Sequence, residues 1–205
     1  MRREEGYLAG IADNAGGLRQ SRGVTRDWWD GDRDARPGRL PDNLDGMAET
    51  MAAAVERRSA RAILIDDEGR LVLIKRSKPG REPYWTTAGG GVEDSDASIE
   101  AAMHREIFEE LGAKAVGASQ VFLVSWRSPT GLHVQHFFVT RLVRLDLAAR
   151  TGPEFTDPTR GAYDPDWVDL RGDDLAGVGL QPSELKAFIL ANRDALLAEA
   201  GLLAP

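Results

Sequence analysis

Three carboxylates lie close together in the sequence, at Glu106, Glu109 and Glu110. In an α-helix, with about 3.6 residues per turn, these positions fall within an arc of roughly 100° on one flank. Like charges at such spacings destabilise a helix by roughly 0.2–0.5 kcal/mol per pair. Clustered carboxylate oxygens are also the ligands that hard divalent cations prefer. The trio is therefore either an ordinary solvated acidic face or part of a metal site, and the neighbouring residues decide between the two.

The helix that carries these carboxylates has recognisable ends. Asp96 and Ser98 can each cap its N-terminus, and Gly112 suits the left-handed conformation that ends many helices. Arg105 lies four residues before Glu109 and is placed to orient that carboxylate. An apolar stripe adjoins the acidic flank and predicts packing against other elements: Ile99, Met103, Ile107 and Leu111.

Three glycines, Gly89-Gly90-Gly91, precede this helix. Joined to the helix, they resemble the Nudix box, G-x5-E-x7-R-E-U-x-E-E-x-G-U, where U is a bulky aliphatic residue. The second half of the box matches residue for residue, at Arg105, Glu106, Ile107, Glu109, Glu110 and Gly112. The stretch over residues 90–113 is therefore similar to the Nudix hydrolase family.

The first half of the box departs from the family pattern. Counting back from Arg105, the first glutamate of the box falls on Ala97, and the nearest acid is Asp96. We interpret this as a one-residue insertion with Asp in place of Glu. The last position is Ala113, which is smaller than usual. Because the carboxylate-rich half is intact, the departures concern the turn before the helix.

The resemblance implies a metal site on the helix. Mg²⁺, with Mn²⁺ as an alternative ion, would be held by Glu106, Glu109 and Glu110 with help from the backbone carbonyl of Gly90. Glycine suits such a position because its backbone can approach an ion without a Cβ atom.

The resemblance also implies catalytic residues beside the metal ligands. Arg105 would orient Glu109 or pair with Asp96. A general base must take the proton of the attacking water. Either Glu109 or an acid in the irregular segment 147–166 could do this, and Glu154 is the expected loop acid.

A basic cluster and one tryptophan are the expected substrate contacts. Lys75, Arg76 and Arg81 lie near a proline-containing loop, where they either form an exposed edge or contact phosphate. Trp126 either packs in the core or stacks on a nucleobase.

The surrounding pattern predicts an α/β protein. Alternating apolar residues and turn signals predict strands at 61–66, 71–76, 120–127, 133–143 and 167–170, and a closing helix at 181–199. This order fits the Nudix α/β/α sandwich, a mixed sheet between helices. We expect the Nudix domain to occupy residues 59–205. Residues 1–58 form an N-terminal extension, partly disordered or helical, with a helix expected at 44–58.

The composition excludes several classes of protein. The net charge is −7; residues 1–58 carry 10 basic and 11 acidic side chains, and residues 59–205 carry 16 and 22. An acidic domain disfavours a long nucleic-acid partner, which needs a basic track. The chain has no cysteine, so thiol chemistry is excluded, including that of isopentenyl-diphosphate isomerases, which share the Nudix fold. No apolar run approaches the roughly 20 residues of a membrane span, and we expect a cytoplasmic protein.

The function implied by the resemblance is hydrolysis of a phosphoric anhydride. Water would attack a phosphorus of a nucleoside diphosphate derivative, of the nucleotide or nucleotide-sugar type, in a metal-dependent reaction. The partner would be a small phosphorylated molecule, and a homodimer is a common arrangement in the family. The alternative is a catalytically idle Nudix domain that senses a nucleotide or binds a partner. The intact carboxylate trio favours the enzyme.

Overall fold

The structure is a computed structural model that describes residues 55–152 and 161–203. Residues 1–54 of the expected extension at 1–58, and the expected loop acid Glu154, lie outside the described residues.

The described residues form strands, α-helices and one 3-10 turn at Leu147–Ala149. The strands are β1 (Val55–Ile65), β2 (Arg70–Ser77), β3 (Tyr84–Thr86), β4 (Gly89–Gly91), β5 (Ala113–Arg127), β6 (Leu132–Leu145), β7 (Ala162–Asp169) and β8 (Leu180–Gln181). The α-helices are α1 (Ile99–Leu111), α2 (Asp174–Gly177), α3 (Ser183–Ala191) and α4 (Arg193–Glu199). None of the helices in these ranges is long and apolar enough to cross a membrane.

The strands form one mixed sheet in the order β5-β6-β1-β2-β3-β8, with β4 paired to β1 and β7 paired to β2. Strand β1 runs parallel to β6 along its length. On its other side, β1 pairs with β4 through Ser59, Ala60 and Arg61, and with β2 at Ile65. The glycine strand β4 therefore lies beside the middle of β1, near the centre of the sheet.

The sheet is packed on both faces, which confirms the predicted α/β/α sandwich. Alternate residues of a strand face opposite sides of a sheet. Ala62 and Leu64 of β1 are fully buried on the face covered by α1, and Ile63 and Ile65 are fully buried on the face covered by α3 and α4. Burying a leucine or isoleucine side chain contributes about 1.5–3 kcal/mol to the stability of the fold.

The ends of α1 lie where the sequence predicts them. The Ser98 hydroxyl accepts a hydrogen bond from the backbone N–H of Ala101 at 3.0 Å, so Ser98 is the N-cap. Gly112 ends the helix with a left-handed φ of 60°. The buried residues of α1 include Met103, Ile107 and Leu111, as the apolar stripe predicts. This packing turns the carboxylate flank of the helix towards β4.

The expected helix at 44–58 is wrong for its last four residues. Val55–Arg58 belong to β1, because Val55 pairs with Leu132 and Arg57 with His133 in the parallel ladder with β6. Tertiary pairing overrides the helical tendency of the local sequence. The division into an extension at 1–58 and a domain at 59–205 stays a prediction, although Val55–Arg58 lie in the sheet.

Other elements also differ from their predicted bounds, among them β5, which begins at Ala113 rather than at 120. The closing helix is divided at Asn192, whose φ is −129° and whose side chain donates to the Phe188 carbonyl at 2.8 Å. Asparagine side chains compete with helical hydrogen bonds in this way. Strand β7 begins at Ala162 rather than at 167, because it pairs with β2 along its whole length.

Candidate active site

Arg105 connects the helix, the turn before it and the glycine strand. Its Nε and Nη2 atoms donate to the two carboxylate oxygens of Asp96, each at 3.0 Å, and Nη2 also donates to the Gly91 carbonyl at 2.8 Å. This hydrogen bonding lowers the pKa of Asp96, with a smaller contribution from the Glu93 backbone N–H. Asp96, the residue interpreted as standing in place of the first glutamate of the box, thus ties the turn to the helix.

The same guanidinium sets the positions of two of the three glutamates. Nη1 donates to Glu106 Oε1 at 3.0 Å and to Glu109 Oε2 at 3.1 Å. Asp96 and these glutamates raise the pKa of Arg105. The sequence left two roles for Arg105, orienting Glu109 or pairing with Asp96, and the structure shows both contacts.

Glu106 packs directly against Gly90. A Cβ atom added at Gly90 would lie 2.5 Å from Glu106 Oε2 and 2.6 Å from Oε1, so a larger residue cannot occupy this position without displacement. Burial raises the pKa of the Glu106 carboxyl, whereas Arg105 and Arg61 act against this shift. The missing side chain at Gly90 lets the carboxylate lie against the backbone.

Glu110 contacts the same strand one residue earlier. Its Oε2 accepts a hydrogen bond from the backbone N–H of Gly89 at 2.8 Å. Glu109, between these two residues in sequence, leaves 33% of its side chain exposed, compared with 13% for Glu106. Two carboxylates therefore lie against β4, and the third is more open to solvent.

The donor set fits a hard divalent cation by its chemistry. Carboxylate and backbone carbonyl oxygens are the ligands such ions prefer, and here Glu106 and Glu110 contact consecutive residues of the glycine strand. Across residues 55–152 and 161–203, no group of three or more His, Cys, Asp and Glu side chains is arranged as a complete metal site. Metal binding by these residues is therefore a proposal.

A cleft lies against the β1 residues that alternate with Ala60 and Ala62, on the face of β1 turned away from α1. Its cavity volume is about 100 Å³, within about 450 Å³ of space that includes open solvent. Its lining residues come from β1, β4, β5 and β6: Arg57, Ser59, Arg61, Gly90, Trp126, His133, Val134 and Gln135. Gly90 thus contacts the carboxylate of Glu106 and also lines the cleft.

Arg61 lies between the helix carboxylates and the cleft. Its Nη1 donates to the Thr87 carbonyl at 2.8 Å and to Thr86 Oγ1 at 3.2 Å. Burial lowers the pKa of Arg61, while the charges of Glu110 and Glu106 oppose this shift. A guanidinium remains protonated under these conditions. Nε and Nη2 of Arg61 make no hydrogen bond to the described residues, so this cation has donors left for a ligand.

Sequence reasoning missed Arg61 as a site residue. The sequence predicts only that Arg61 begins the strand at 61–66, RAILID. A charged residue that begins a run of buried apolar residues was the available signal, because such a charge needs nearby carbonyls or carboxylates.

The aromatic wall of the cleft is held in place by Glu56. The ring centres of Trp126 and His133 are 5.2 Å apart, and His133 Nε2 lies 3.0 Å from Glu56 Oε2. The same oxygen accepts from Thr130 Oγ1 at 2.6 Å and from Ser128 Oγ at 3.1 Å. These bonds tie the β5–β6 turn to the first residues of β1, so the wall is braced before any ligand binds.

The predicted basic cluster lies elsewhere. Lys75 Nζ lies 5.2 Å from the ring centre of Trp85, and the guanidinium of Arg76 lies 3.5 Å from that of Tyr163. Arg81 is exposed in the loop after β2. None of these three basic residues is among those that line the cleft. Their part in binding phosphate stays a prediction.

Comparison with known proteins gives the family. The model of the NUDIX domain matches residues 55–174, which is more than half of the chain. The chain therefore belongs to the Nudix family, and the resemblance seen in the box is confirmed. Its enzyme class is that of a hydrolase acting on phosphoric anhydrides, a pyrophosphohydrolase.

The fold is similar to that of one solved structure with a TM-score above 0.5, and two further neighbours have lower scores. A NUDIX hydrolase from Nitrosomonas europaea is 15% identical, with 68% of this chain and 89% of that chain covered and a TM-score of 0.53. A MutT NUDIX hydrolase from Burkholderia pseudomallei is 25% identical, with coverages of 64% and 95% and a TM-score of 0.48. A MutT protein from Methanosarcina mazei Go1 is 20% identical, with coverages of 69% and 97% and a TM-score of 0.47. No curated protein matches the sequence significantly.

Proposed function

We propose that the protein is a Mg²⁺-dependent hydrolase that cleaves the diphosphate linkage of a nucleoside diphosphate derivative by attack of water on phosphorus. Mn²⁺ is an alternative ion. The observation that supports this most strongly is the position of Gly90, which contacts the Glu106 carboxylate and also lines the cleft that contains Arg61. Groups for an ion and for a phosphate thus converge on one glycine.

The ion would be held by Glu106, Glu109 and Glu110, with the Gly90 carbonyl as a further ligand. When bound, a divalent cation supplies neutralisation of phosphate charge and a lowered pKa for the attacking water. Arg105 is a positioning residue in this arrangement, because its five hydrogen bonds to Asp96, Gly91, Glu106 and Glu109 fix the carboxylates rather than reach the cleft.

The proton of the attacking water would go to Glu109. This carboxylate is a third exposed and remains accessible beside Arg105. Glu154, which lies outside the described residues, is the alternative general base. A general base must come within hydrogen-bond reach of the proton that it abstracts.

Phosphate binding would begin at Arg61. A guanidinium whose Nη1 is held by Thr87 and Thr86 presents its remaining N–H groups without the entropy cost of ordering a mobile side chain. Lys75, Arg76 and Arg81 would contact outer parts of the phosphate chain.

The second function remains a nucleotide sensor without turnover. The three glutamates favour the enzyme, since Glu106 and Glu110 both contact the glycine strand and a sensor has no need of that arrangement. A cytoplasmic location and a homodimer stay predictions, the latter to be checked by light scattering.

The test is hydrolysis of a substrate panel by the full chain with Mg²⁺. The panel contains nucleoside triphosphates, ADP-ribose, nucleotide sugars, dinucleotide polyphosphates and a non-nucleotide diphosphate, with products separated by chromatography. We expect one substrate to be cleaved far better than the others, and cleavage to stop on chelation. Tight binding of one compound without any turnover would contradict the hydrolase and support the sensor.

A further inference from the structure

The cleft residues come from four adjacent strands, β5, β6, β1 and β4. Trp126 of β5 is opposite His133 of β6, and His133 is opposite Arg57 of β1. In the next line, Gln135 of β6 is opposite Ser59, and Ser59 is opposite Gly91 of β4. From β5 to β4, the cleft therefore presents the indole of Trp126, the amide of Gln135, the guanidinium groups of Arg57 and Arg61, and the glycine strand.

The distance between Trp126 and Arg61 suits an extended nucleotide. Neighbouring strands lie about 4.8 Å apart, so β5 is about 10 Å from β1, and Arg61 lies roughly 13 Å along β1 from Arg57, the residue opposite His133. Because Trp126 and Arg61 line one cleft, a ligand that contacts both extends from a base through the sugar to the phosphates. A ligand placed in this way has its charged end at Arg61 and Gly90 and its apolar end at the half-buried indole of Trp126.

Gln135 has an unused acceptor in the cleft. Its side chain lines the cleft, the residue is 5% exposed, and its Oε1 atom is buried without a hydrogen-bond partner in the described part of the chain. Buried polar atoms are rarely left unpaired, and an unpaired one calls for a functional explanation. The last torsion of glutamine turns easily, so a ligand in the cleft can bring this oxygen into a hydrogen bond.

We propose that Trp126 and Gln135 form a subsite for a nucleobase. The base stacks against the indole, and one of its N–H groups donates to Gln135 Oε1. This inference rests on the proposed function for the position of the phosphate. It goes further by placing the base of the substrate in the cleft and by naming Gln135 as the residue that reads the base.

The experiment measures binding without metal or turnover. Ligand-observed NMR titration of the full chain in EDTA compares AMP, CMP, GMP and UMP with ribose 5-phosphate, which has no base. We expect at least one nucleotide to bind about tenfold or more tightly than ribose 5-phosphate, because stacking on an aromatic side chain has this magnitude. Equal affinity for all five compounds would overturn the subsite.

Two variants assign the effect to residues. Gln135→Met keeps the volume but removes the acceptor, and should weaken the preferred nucleotide by about two- to tenfold while ribose 5-phosphate is unchanged. Trp126→Leu should remove most of the preference for a base, whereas Trp167→Leu, at an exposed position on β7, should leave it intact. If Gln135→Met binds every nucleotide like the wild type, Gln135 does not read the base.

The subsite and the hydrolase can fail separately. Base preference that persists in EDTA, in a protein that hydrolyses nothing, would support the subsite and contradict the hydrolase. Hydrolysis of a non-nucleotide diphosphate, together with equal binding of AMP and ribose 5-phosphate, would support the hydrolase and overturn the subsite.

Discussion

The α1 side of Gly90 and its cleft side are built in different ways. On the α1 side, the contacts of the glutamates and Arg105 with the glycine strand come from residues 89–110, and the charge of Arg61 on β1 acts on Glu106 and Glu110. On the cleft side, the lining residues come from positions 57–135 and are brought together by strand register. The residues on the α1 side are close in sequence, and the side chains of Arg105 and the three glutamates make hydrogen bonds. The residues on the cleft side are far apart in sequence, and among the described residues Gln135 Oε1 has no partner. The proposed metal ligands and the proposed substrate contacts therefore lie on opposite sides of β4.

Two arginines show the same difference at the level of single residues. Arg105 uses Nε, Nη1 and Nη2 in hydrogen bonds to the turn, the glycine strand and two glutamates. Among the residues that the structure describes, Arg61 finds hydrogen-bond partners only for Nη1, at Thr86 and Thr87. A saturated guanidinium positions its neighbours, whereas one with donors remaining can bind a ligand.

The largest effect is expected on the α1 side, from Glu110→Gln. Loss of this carboxylate removes a proposed metal ligand, and we expect kcat to fall by more than about a hundredfold, since even the outer partners of metal ligands are worth 10- to 100-fold. The measurement is turnover at limiting Mg²⁺, with thermal unfolding to show that the fold remains. Glu100→Gln, exposed on the same helix, is the matched control. Near-normal activity of Glu110→Gln would show that the metal assignment is wrong.

A pair of glycine variants tests the contact between the two regions. Gly90→Ala places a Cβ atom 2.5 Å from Glu106 Oε2, whereas a Cβ atom at Gly91 meets nothing closer than Arg57 Nη2 at 3.8 Å. We expect Gly90→Ala to cost about 1–3 kcal/mol of stability, as overpacking usually does, and to reduce activity strongly. Gly91→Ala should differ little from the wild type. Urea denaturation and steady-state kinetics measure the two effects, and equal behaviour of the two variants would contradict the role of Gly90.

An intermediate effect is expected from Arg61→Ala. Removing a charged hydrogen-bond donor costs about 1.5–3 kcal/mol, so substrate affinity should fall by about 10- to 100-fold. The loss should be visible in the binding of a nucleoside diphosphate in EDTA as well as in KM. Arg58→Ala removes an exposed charge from the same strand and serves as the control. If both variants bind the nucleotide equally well, Arg61 is not a phosphate contact.

The smallest effect is expected from Glu56, whose hydrogen bonds hold the β5–β6 turn and His133 beside the cleft. Hydrogen bonds from Thr130, His133 and Ser128 lower the pKa of Glu56, against a burial effect that raises it. A lowered pKa in the folded state means that the ionised carboxylate stabilises the fold above its ordinary pKa of 4.5. This contribution is lost as the pH falls through the lower, folded-state value.

Glu56→Gln should therefore lower the denaturation midpoint at pH 7, and the gap to the wild type should close in acid below the ordinary pKa. Glu82→Gln, at an exposed loop position, is expected to show no such pH-dependent gap. A gap for Glu56→Gln that stays constant from neutral to acid pH would contradict the role of the carboxylate charge.

Prediction from sequence succeeded where contacts are local. The ends of α1 follow from Ser98 and Gly112, and the approach of Arg105 to Glu109 follows from helical spacing. Prediction failed where distant segments pair. The sequence near Arg58 favours a helix by composition, yet β6 takes these residues into the sheet. The positions of Lys75 and Arg76 over the rings of Trp85 and Tyr163 were likewise not predicted, and their part in binding phosphate stays a prediction.

The sequence by itself determined the family, the acidic helix and the glycine run that precedes it, because all of these lie within residues 89–113. Only the tertiary structure decided that Gly90 is shared with a cleft, and that Arg61, Trp126 and Gln135 line it together. The physical reason is that strand register joins residues far apart in the chain. A shift of one residue in that register would turn each of these side chains to the opposite face of the sheet.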